Sequence, residues 1–291
     1  MISSSRVSAP LAFIRFAWAA LAITIVVILW GAVVRATGAG AGCGSHWPLC
    51  NGEIVPLAPG ATTVIEFVHR LTAGLAMILS LVLVIWSRRV FPAGHAARKW
   101  AGWAFAFMLV EAAIGAGIVL LELVEDDASA LRAGYIAVHL TNTMLLVAAM
   151  TGTIYEGQRA EGRGQRELEG KRAKGKTVAL VLMIVVAAAG AIVALGDTLF
   201  PAASLREGFA ADFNPTAHFL IRLRIWHPIL ATAASLIAIV AFHSGLVTAL
   251  ILGQIALGLI NLLMLAPLPL QMAHLLLSNV LWTAMVWKAL D

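Results

Sequence analysis

The sequence predicts an all-α protein that crosses a membrane several times. Hydrophobic residues make up 61% of the 291 positions and charged residues only 12%, whereas an ordinary soluble domain has about 25% charged residues. A bilayer-spanning helix needs about 20 consecutive apolar residues, and the chain contains eight stretches of that kind. The sequence lacks the short segments of alternating hydrophobicity that are typical of outer-membrane barrels.

Each apolar stretch is predicted to form one transmembrane helix. The first stretch continues to full spanning length, so we interpret it as a helix rather than as a cleavable signal. The eight predicted spans are residues 14–34, 66–86, 101–121, 133–154, 177–196, 222–242, 245–265 and 271–288.

The distribution of lysine and arginine predicts the orientation of the spans. With a cytoplasmic N-terminus, most of the 20 basic residues fall on the cytoplasmic side, as the positive-inside rule requires. Both termini are therefore predicted to be cytoplasmic. The net charge of +5 then reflects topology, because the basic residues are scattered over loops rather than gathered in a nucleic-acid-binding domain. The basic residues left on the outer side are Arg35, Arg70, Arg132, Arg206, Arg222 and Arg224.

The chain is predicted to consist of two four-helix halves. Residues 1–158 form the N-terminal half and residues 177–291 the C-terminal half, and the charged residues 159–176 form a solvated cytoplasmic linker. Each half has an even number of spans, so both begin on the same side of the membrane. The pseudo-twofold axis between them should therefore lie along the membrane normal.

A weak internal repeat supports this division. The segment EAAIG at residues 111–115 precedes His139, as QIALG at residues 254–258 precedes His274. Glu111, which begins the first segment, has two open roles. It either lines a pocket in the N-terminal half or forms a hydrogen bond to a neighbouring helix.

The eight histidines divide into two groups of four. One group lies in predicted loops, where a solvated side chain is the plain interpretation: His46, His95, His218 and His243. The other group lies just inside the outer ends of the even-numbered spans: His69, His139, His227 and His274. A neutral imidazole in hydrocarbon needs a polar partner. Two haem groups, each held by a pair of axial imidazoles, explain four histidines at one depth.

The two cysteines, Cys43 and Cys50, lie in a Gly-rich loop on the predicted outer side, where disulfides persist. The turn-forming residues between them let the sulfurs meet, which favours a disulfide. The alternative is a zinc site made by Cys43, His46 and Cys50, which is one ligand short of a closed tetrahedral site. Spacing alone does not distinguish a redox-active pair from a structural one.

The two halves differ in the charged residues beside their histidines. Glu66 lies one turn before His69 on the same helical face, and Arg70 follows directly, whereas the second half has Arg224 and Pro228 in those places. A carboxylate at membrane depth is costly to bury, which makes Glu66 a candidate for proton chemistry. The alternative is an ion pair between Glu66 and Arg70 that anchors the helix end.

Two motifs identify a family resemblance. CGSHWPLCNG at residues 43–52 and ExxHR at residues 66–70, with the later histidines, closely resemble the bacterial haem A synthases over nearly the whole chain. The resemblance implies a multi-pass enzyme of the bacterial cytoplasmic (inner) membrane. It implies oxidation of a methyl group of haem O to a formyl group, which gives haem A for cytochrome oxidases. It also implies a b-type haem cofactor. Oxidation of a methyl group lies beyond the chemistry of protein side chains, so a cofactor must supply it.

The resemblance also implies roles for individual residues. Glu66 would be the catalytic carboxylate, and Cys43 and Cys50 the outer-loop disulfide. One feature departs from the family pattern, because some members have a second cysteine pair in the outer loop of the C-terminal half and residues 197–221 contain none. The implied haem ligands are His69 and His139, with Arg70, for the substrate haem, and His227 and His274 for the cofactor haem.

The expected partners are haem O, a haem O synthase, an electron donor such as quinol, and membrane lipids, and the oligomeric state is left open. Two functions of other classes compete with synthesis. A non-catalytic di-haem electron carrier explains the four histidines but gives Glu66 no role. A haem-delivery or oxidase-assembly protein binds haem without chemistry.

Overall fold

A computed structural model describes residues 10–159 and 170–291 of the protein. Within these ranges the regular structure is helical, and the only β-type pairing is an isolated bridge between Cys50 and Glu53. Ten α-helices follow one another along the described chain: α1 (Leu11–Ala36), α2 (Ala61–Val90), α3 (Ala96–Leu120), α4 (Ala130–Gln158), α5 (Gly170–Leu199), α6 (Leu205–Asp212), α7 (Phe219–Arg222), α8 (Trp226–Phe242), α9 (Gly245–Leu263) and α10 (Leu268–Leu290).

Seven helical stretches of the described chain are long and apolar enough to cross a membrane. They coincide with the first seven predicted spans, so the all-α, multi-pass class is confirmed. The sixth stretch combines α7 and α8. The eighth predicted span, 271–288, is helical within α10, but Gln271, His274 and Asn279 lower its hydropathy and it is not among the seven.

The helices extend beyond the predicted spans at most ends. The largest consequence is at α2, which begins at Ala61, so Glu66 lies inside the helix rather than at its entrance. At the far end of the first half, residues 160–169 of the predicted linker lie outside the described residues. The rest of that linker is helical from Gly170 onward.

The predicted sixth helix, 222–242, is broken between α7 and α8 at residues 223–225. The cause is Pro228, which has no backbone N–H and whose ring would clash with the carbonyl of Arg224 in a continuous helix. In the first turn of α8 this proline is tolerated, because the N–H groups there lack intrahelical partners anyway. The break turns the Arg224 side chain towards the C-terminal end of α5.

Eight of the described helices pack in two sets of four, and the cyclic order is the same in each set. In the first group α1 contacts α2, α2 contacts α3, α3 contacts α4, and α4 contacts α1. In the second group α5 contacts α8, α8 contacts α9, α9 contacts α10, and α10 contacts α5. Consequently α2 lies diagonally opposite α4, and α8 lies diagonally opposite α10.

The two groups of helices meet through α1 and α4 on one side and α5 and α10 on the other. At this contact the buried indole Nε1 of Trp282 on α10 donates a hydrogen bond to the carbonyl of Met144 on α4, at 2.7 Å. Trp282 and Val286 also join the apolar core of the first group. Most of the outward-facing surface of α2, α8 and α9 is exposed and apolar, as expected for helices in contact with lipid.

Candidate functional site

The loop between α1 and α2 is closed by the predicted disulfide. Cys43 and Cys50 are bonded and fully buried, with their Cα atoms 4.3 Å apart. The disulfide prediction is confirmed, and the bonded sulfurs leave no thiolate for the alternative zinc site. Gly42, the residue before Cys43, lies directly on the first turn of α2, where a Cβ atom would be 2.4 Å from the carbonyl oxygen of Thr62. The loop therefore packs tightly against the N-terminal end of α2.

Glu66 and Arg70 hold this loop from inside the helix. The buried Glu66 carboxylate accepts a hydrogen bond from the backbone N–H of Cys43 at 2.7 Å, and its other oxygen pairs with the Arg70 guanidinium. Arg70 in turn donates to the carbonyls of His46, at 2.5 Å, and Leu49, at 2.7 Å. This geometry is the anchoring arrangement that the sequence offered as the alternative to a catalytic role.

The four membrane-depth histidines lie on the diagonal helices of the two groups. His69 is on α2 and His139 on α4, which lie diagonally opposite each other. His227 is on α8 and His274 on α10, with ring centroids 6.5 Å apart and planes at 79°. The fold thus brings His227 and His274 close together and places His69 and His139 on opposite helices.

Three of these rings lie against a glycine of the neighbouring helix. A Cβ atom added at Gly31 on α1 would be 3.0 Å from the ring of His69. Added at Gly190 on α5 or Gly258 on α9, it would be 2.9 Å from the ring of His227 or His274, respectively. Real Cβ atoms essentially never approach within 2.9 Å of another atom, and 3.0 Å is tighter than most real contacts, so a side chain at any of these glycines would press against the ring.

Sequence reasoning did not identify these glycines as part of the site. The repeat contained part of the signal, since Gly258 and Gly115 end its two matching segments. The match fails in one respect, because a Cβ atom at Gly115 would meet nothing within 4 Å. Gly115 therefore does not contact the ring of His139 in the way that Gly258 contacts the ring of His274.

The histidines differ in what their ring nitrogens contact. Nδ1 of His227 lies 3.1 Å from the carbonyl oxygen of Val186 on α5. An Nδ1–H that donates to this carbonyl leaves the lone pair on Nε2 free to bind a metal. In His274, Nε2 lies 3.1 Å from the amide nitrogen of Gln254, and Nδ1 is buried without a hydrogen-bond partner.

His139 lies beside Glu111 of α3. The Glu111 carboxylate oxygen Oε1 is 3.3 Å from Nδ1 of His139, although the two are not aligned as a hydrogen bond. Glu111 also accepts hydrogen bonds from Asn142 and Thr143, which follow His139 on α4. Of the two roles left open by the sequence, hydrogen bonding to a neighbouring helix is the one the structure shows.

A polar network that joins α1 to α5 and α10 was missed by sequence reasoning. Arg35 on α1 reaches the second group, where it donates to the carbonyl of Ala194, the hydroxyl of Thr198 and, at 3.0 Å, the side-chain oxygen of Gln271. The signal was present, since a cation within an apolar span needs polar partners. Its partners depend on how the two groups pack, which the sequence pattern does not specify.

Arg224 holds the segment between α5 and α8 much as Arg70 holds the loop between α1 and α2. It pairs with Asp197 at 3.0 Å and donates to the carbonyls of Gly196, at 2.9 Å, and Phe200. Asp212 lies 3.9 Å from the same guanidinium. Burial raises the pKa of the Asp212 carboxyl, and the charge of Arg224 opposes that rise. Asp197 on α5 is therefore the acidic partner of Arg224. In the first group, by contrast, Glu66 and Arg70 lie on the same helix.

The predicted loop histidines include two with local structural roles. Nδ1 of His95 accepts a hydrogen bond from the N–H of Ala97 at the start of α3, and Nδ1 of His218 accepts one from Leu220 at the start of α7. Across residues 10–159 and 170–291, no cluster of three or more His, Cys, Asp or Glu side chains is arranged to hold a metal ion. Axial ligation of a haem iron needs only two protein ligands.

Several known proteins are similar to this chain. A Protoheme IX farnesyltransferase of Thermus thermophilus is 41% identical over 290 residues, covering 94% of this chain and 47% of the relative. Heme A synthases of Exiguobacterium sibiricum and Shouchella clausii are 34% and 38% identical over 122 residues, 42% of this chain and 41% and 40% of those relatives. The chain therefore spans about half the length, or less, of these curated relatives.

The profile of the cytochrome oxidase assembly protein family matches residues 14–286. This range contains the disulfide loop, the ion pair on α2 and all four membrane-depth histidines. Together with the matching Heme A synthases, it confirms the resemblance that the motifs indicated. The chain belongs to the cytochrome oxidase assembly protein family.

Proposed function

We propose that the chain is a haem A synthase that binds one haem in each of two pseudo-symmetric four-helix halves. The observation that carries the proposal is the pair His227 and His274, whose ring centroids lie 6.5 Å apart across the second group of helices. Metal-bound imidazole nitrogens lie about 2 Å from the metal, with the ring centre about 1 Å beyond, so two axial imidazoles place their centroids roughly 6–7 Å apart. The spacing fits a bis-histidine haem.

Other features of the residues fit the same group. The glycines at 31, 190 and 258 leave room for the imidazole rings. Buried Nδ1 atoms without hydrogen-bond partners are found in His69, His139 and His274, and such polar atoms are costly in hydrocarbon unless a ligand changes their surroundings. The cyclic packing places each histidine pair on diagonal helices, as a planar macrocycle in a bundle requires.

In this proposal the second half holds a b-type cofactor haem through His227 and His274, and the first half holds haem O through His69 and His139. The haem supplies the oxidative chemistry that converts a methyl group to a formyl group. The chain orients its histidines through the backbone at Val186 and the side chain of Glu111.

Glu66 is the proposed proton-handling carboxylate at the first site. It lies one turn from His69 on α2, buried beneath the disulfide loop. The Arg70 guanidinium and the Cys43 N–H fix the positions of both its oxygens, so a proton transferred there would meet a preorganised acceptor.

Topology, location and partners are part of the proposal. α10 is the eighth span, both termini are cytoplasmic, the disulfide loop is outside, and the membrane is the bacterial inner membrane. The Thermus relative is named as a Protoheme IX farnesyltransferase, and about half of its length lies beyond the match. We infer that an enzyme that farnesylates protohaem acts next to this chain and supplies haem O. The electron donor, quinol or another, is a further proposed partner.

A di-haem electron carrier is the second candidate. One observation favours it: both oxygens of Glu66 are engaged by the loop and Arg70, which gives Glu66 a purpose without catalysis. Expression with a source of haem O, followed by pigment extraction, separates the candidates. Haem A in the extract supports synthesis. Haem B alone supports the carrier, and bound haem O without conversion supports delivery.

The assignment of the cofactor site has its own test. His227→Ala or His274→Ala should abolish the low-spin spectrum of the b-type haem while the protein still inserts into the membrane. His95→Ala is the matched control, since His95 caps α3 away from both pairs. An unchanged spectrum in both site variants would contradict the assignment.

A further inference from the structure

Glu111 on α3 and Gln254 on α9 occupy matching positions in the two groups of helices. Each begins a matching segment of the repeat, and each contacts the histidine of the next helix. The contacts differ in charge and in the ring nitrogen involved. Glu111 brings a carboxylate oxygen to Nδ1 of His139, whereas Gln254 brings its amide nitrogen to Nε2 of His274.

The surroundings of Glu111 are built for an anionic acceptor. The amide of Asn142 donates to Oε2 at 2.5 Å, and the hydroxyl of Thr143 donates to Oε1. Donors directed at both oxygens suit a carboxylate, which only accepts, better than an amide, which carries a donor on one side. An unpaired carboxylate would be costly at this depth, so these donors hold Glu111 in place beside the histidine.

The Nδ1 atom of His139 is the remaining donor. It is buried without a hydrogen-bond partner, and the carboxylate oxygen of Glu111 is 3.3 Å away. A small rotation of the imidazole aligns Nδ1–H with this oxygen. The hydrogen bond would fix the tautomer and direct the Nε2 lone pair into the bundle, and a carboxylate partner makes the imidazole a stronger electron donor to a metal.

We propose that Glu111 is a positioning residue that makes His139 a charge-assisted haem ligand, whereas Nδ1 of its counterpart His274 has no hydrogen-bond partner. The inference rests on the proposed haem sites and goes beyond them by assigning unequal donor strength to the two halves. The stronger donor stabilises ferric over ferrous iron. The ligands of the first-half haem should therefore lower its reduction potential, and Glu111 should be the cause of this effect.

The test uses the intact protein loaded with haem B at both sites. Glu111→Gln should raise the reduction potential of the first-half haem and weaken haem affinity there by about 10–100-fold, the usual effect of losing an outer partner of a metal-ligating histidine. The potential of the second-half haem should not change in this variant. Spectroelectrochemical titration gives both potentials, and a His274→Ala background assigns them to the two sites.

Thr143→Val is the matched control, because it removes one donor to Glu111 but keeps the carboxylate beside His139. It should move the first-half potential much less than Glu111→Gln does. If Glu111→Gln leaves the potential unchanged, Glu111 has a purely structural role, whether or not thermal stability falls. This outcome would overturn the inference but not the proposed function. Failure of the wild-type protein to bind haem overturns both this inference and the proposed function.

Discussion

Glu66 and Arg70 form an ion pair one turn apart on α2, and this pair fastens the loop between α1 and α2 to the helix. Glu66 accepts from the N–H of Cys43, while Arg70 donates to the carbonyls of His46 and Leu49. A substitution at Glu66 therefore removes a carboxylate and loosens a loop at the same time. Experiments on Glu66 need a companion variant at Arg70 to separate these effects.

Glu66→Gln should retain haem in both halves, accumulate haem O and make little haem A. Glutamine keeps the shape of the side chain and one acceptor oxygen, but it does not exchange a proton in the same way. The measurement is the ratio of haem A to haem O in pigment extracted from the purified protein.

Arg70→Gln is the companion variant, since it weakens the attachment of the loop but leaves the carboxylate in place. If Glu66 handles protons, Arg70→Gln retains clearly more haem A than Glu66→Gln. Equal losses in the two variants would mean that Glu66 acts as an anchor, and near-normal haem A in Glu66→Gln would exclude the catalytic role.

The disulfide gives a second prediction. Thiol reagents should fail to label the intact protein before reduction and should label it afterwards, with no ambiguity because the chain has only 2 cysteines. Replacing both with serine should destabilise the protein by about 2–3 kcal/mol in the chain-entropy description of a short loop. Thermal unfolding in detergent measures the loss. Labelling without reductant would contradict the bond between Cys43 and Cys50.

The sequence specified the parts of this fold that depend on local pattern. Apolar length located the spans, and the Gly-rich loop indicated the disulfide. The prediction of one continuous helix over 222–242 was wrong, although Pro228 was a signal for the break before α8. α6 had a signal too, since Ser204 and Glu207 have the spacing of a capping box and Ser204 accepts from the Glu207 N–H.

The features that the sequence did not predict depend on helix rotation and on contact between the halves. His227 packs on Gly190 only because α8 and α5 face each other in one particular rotation. The ion pair between Arg224 and Asp197 depends on how the helices pack around α5. The hydrogen bond from Arg35 to Gln271 depends on the contact between the two halves. The hydrophobic periodicity and composition of a helix indicate which face is apolar, but they do not indicate which helix packs against that face.

A third prediction concerns the space beside His274. Gly258→Ala places a methyl group 2.9 Å from the ring, so the imidazole must move and the low-spin spectrum of the second-half haem should be lost or shifted. Gly253→Ala on the same helix is the matched control, because its Cβ would lie 3.7 Å from Leu277, an ordinary contact. The control should keep the spectrum and be stabilised by about 0.4–1 kcal/mol, as a glycine-to-alanine change in a compatible helix is. Equal spectra in the two variants would contradict the role of the glycine.

The last prediction concerns the contact between the halves at Arg35. Arg35→Met keeps the apolar stem of the side chain but removes the hydrogen bonds that Arg35 donates to Ala194, Thr198 and Gln271. Buried acceptors that lose their donor cost about 1–3 kcal/mol, so thermal unfolding should occur at a clearly lower temperature.

Arg15→Met is the matched control for this change. Arg15 lies on the same helix but is exposed, and exposed charges contribute little to stability. Because Gln271 lies one turn before His274 on α10, the loss of Arg35 should also broaden the spectrum of the second-half haem, although Arg35 belongs to the first half. If Arg35→Met and Arg15→Met unfold at the same temperature with the same spectrum, Arg35 does not tie the halves together.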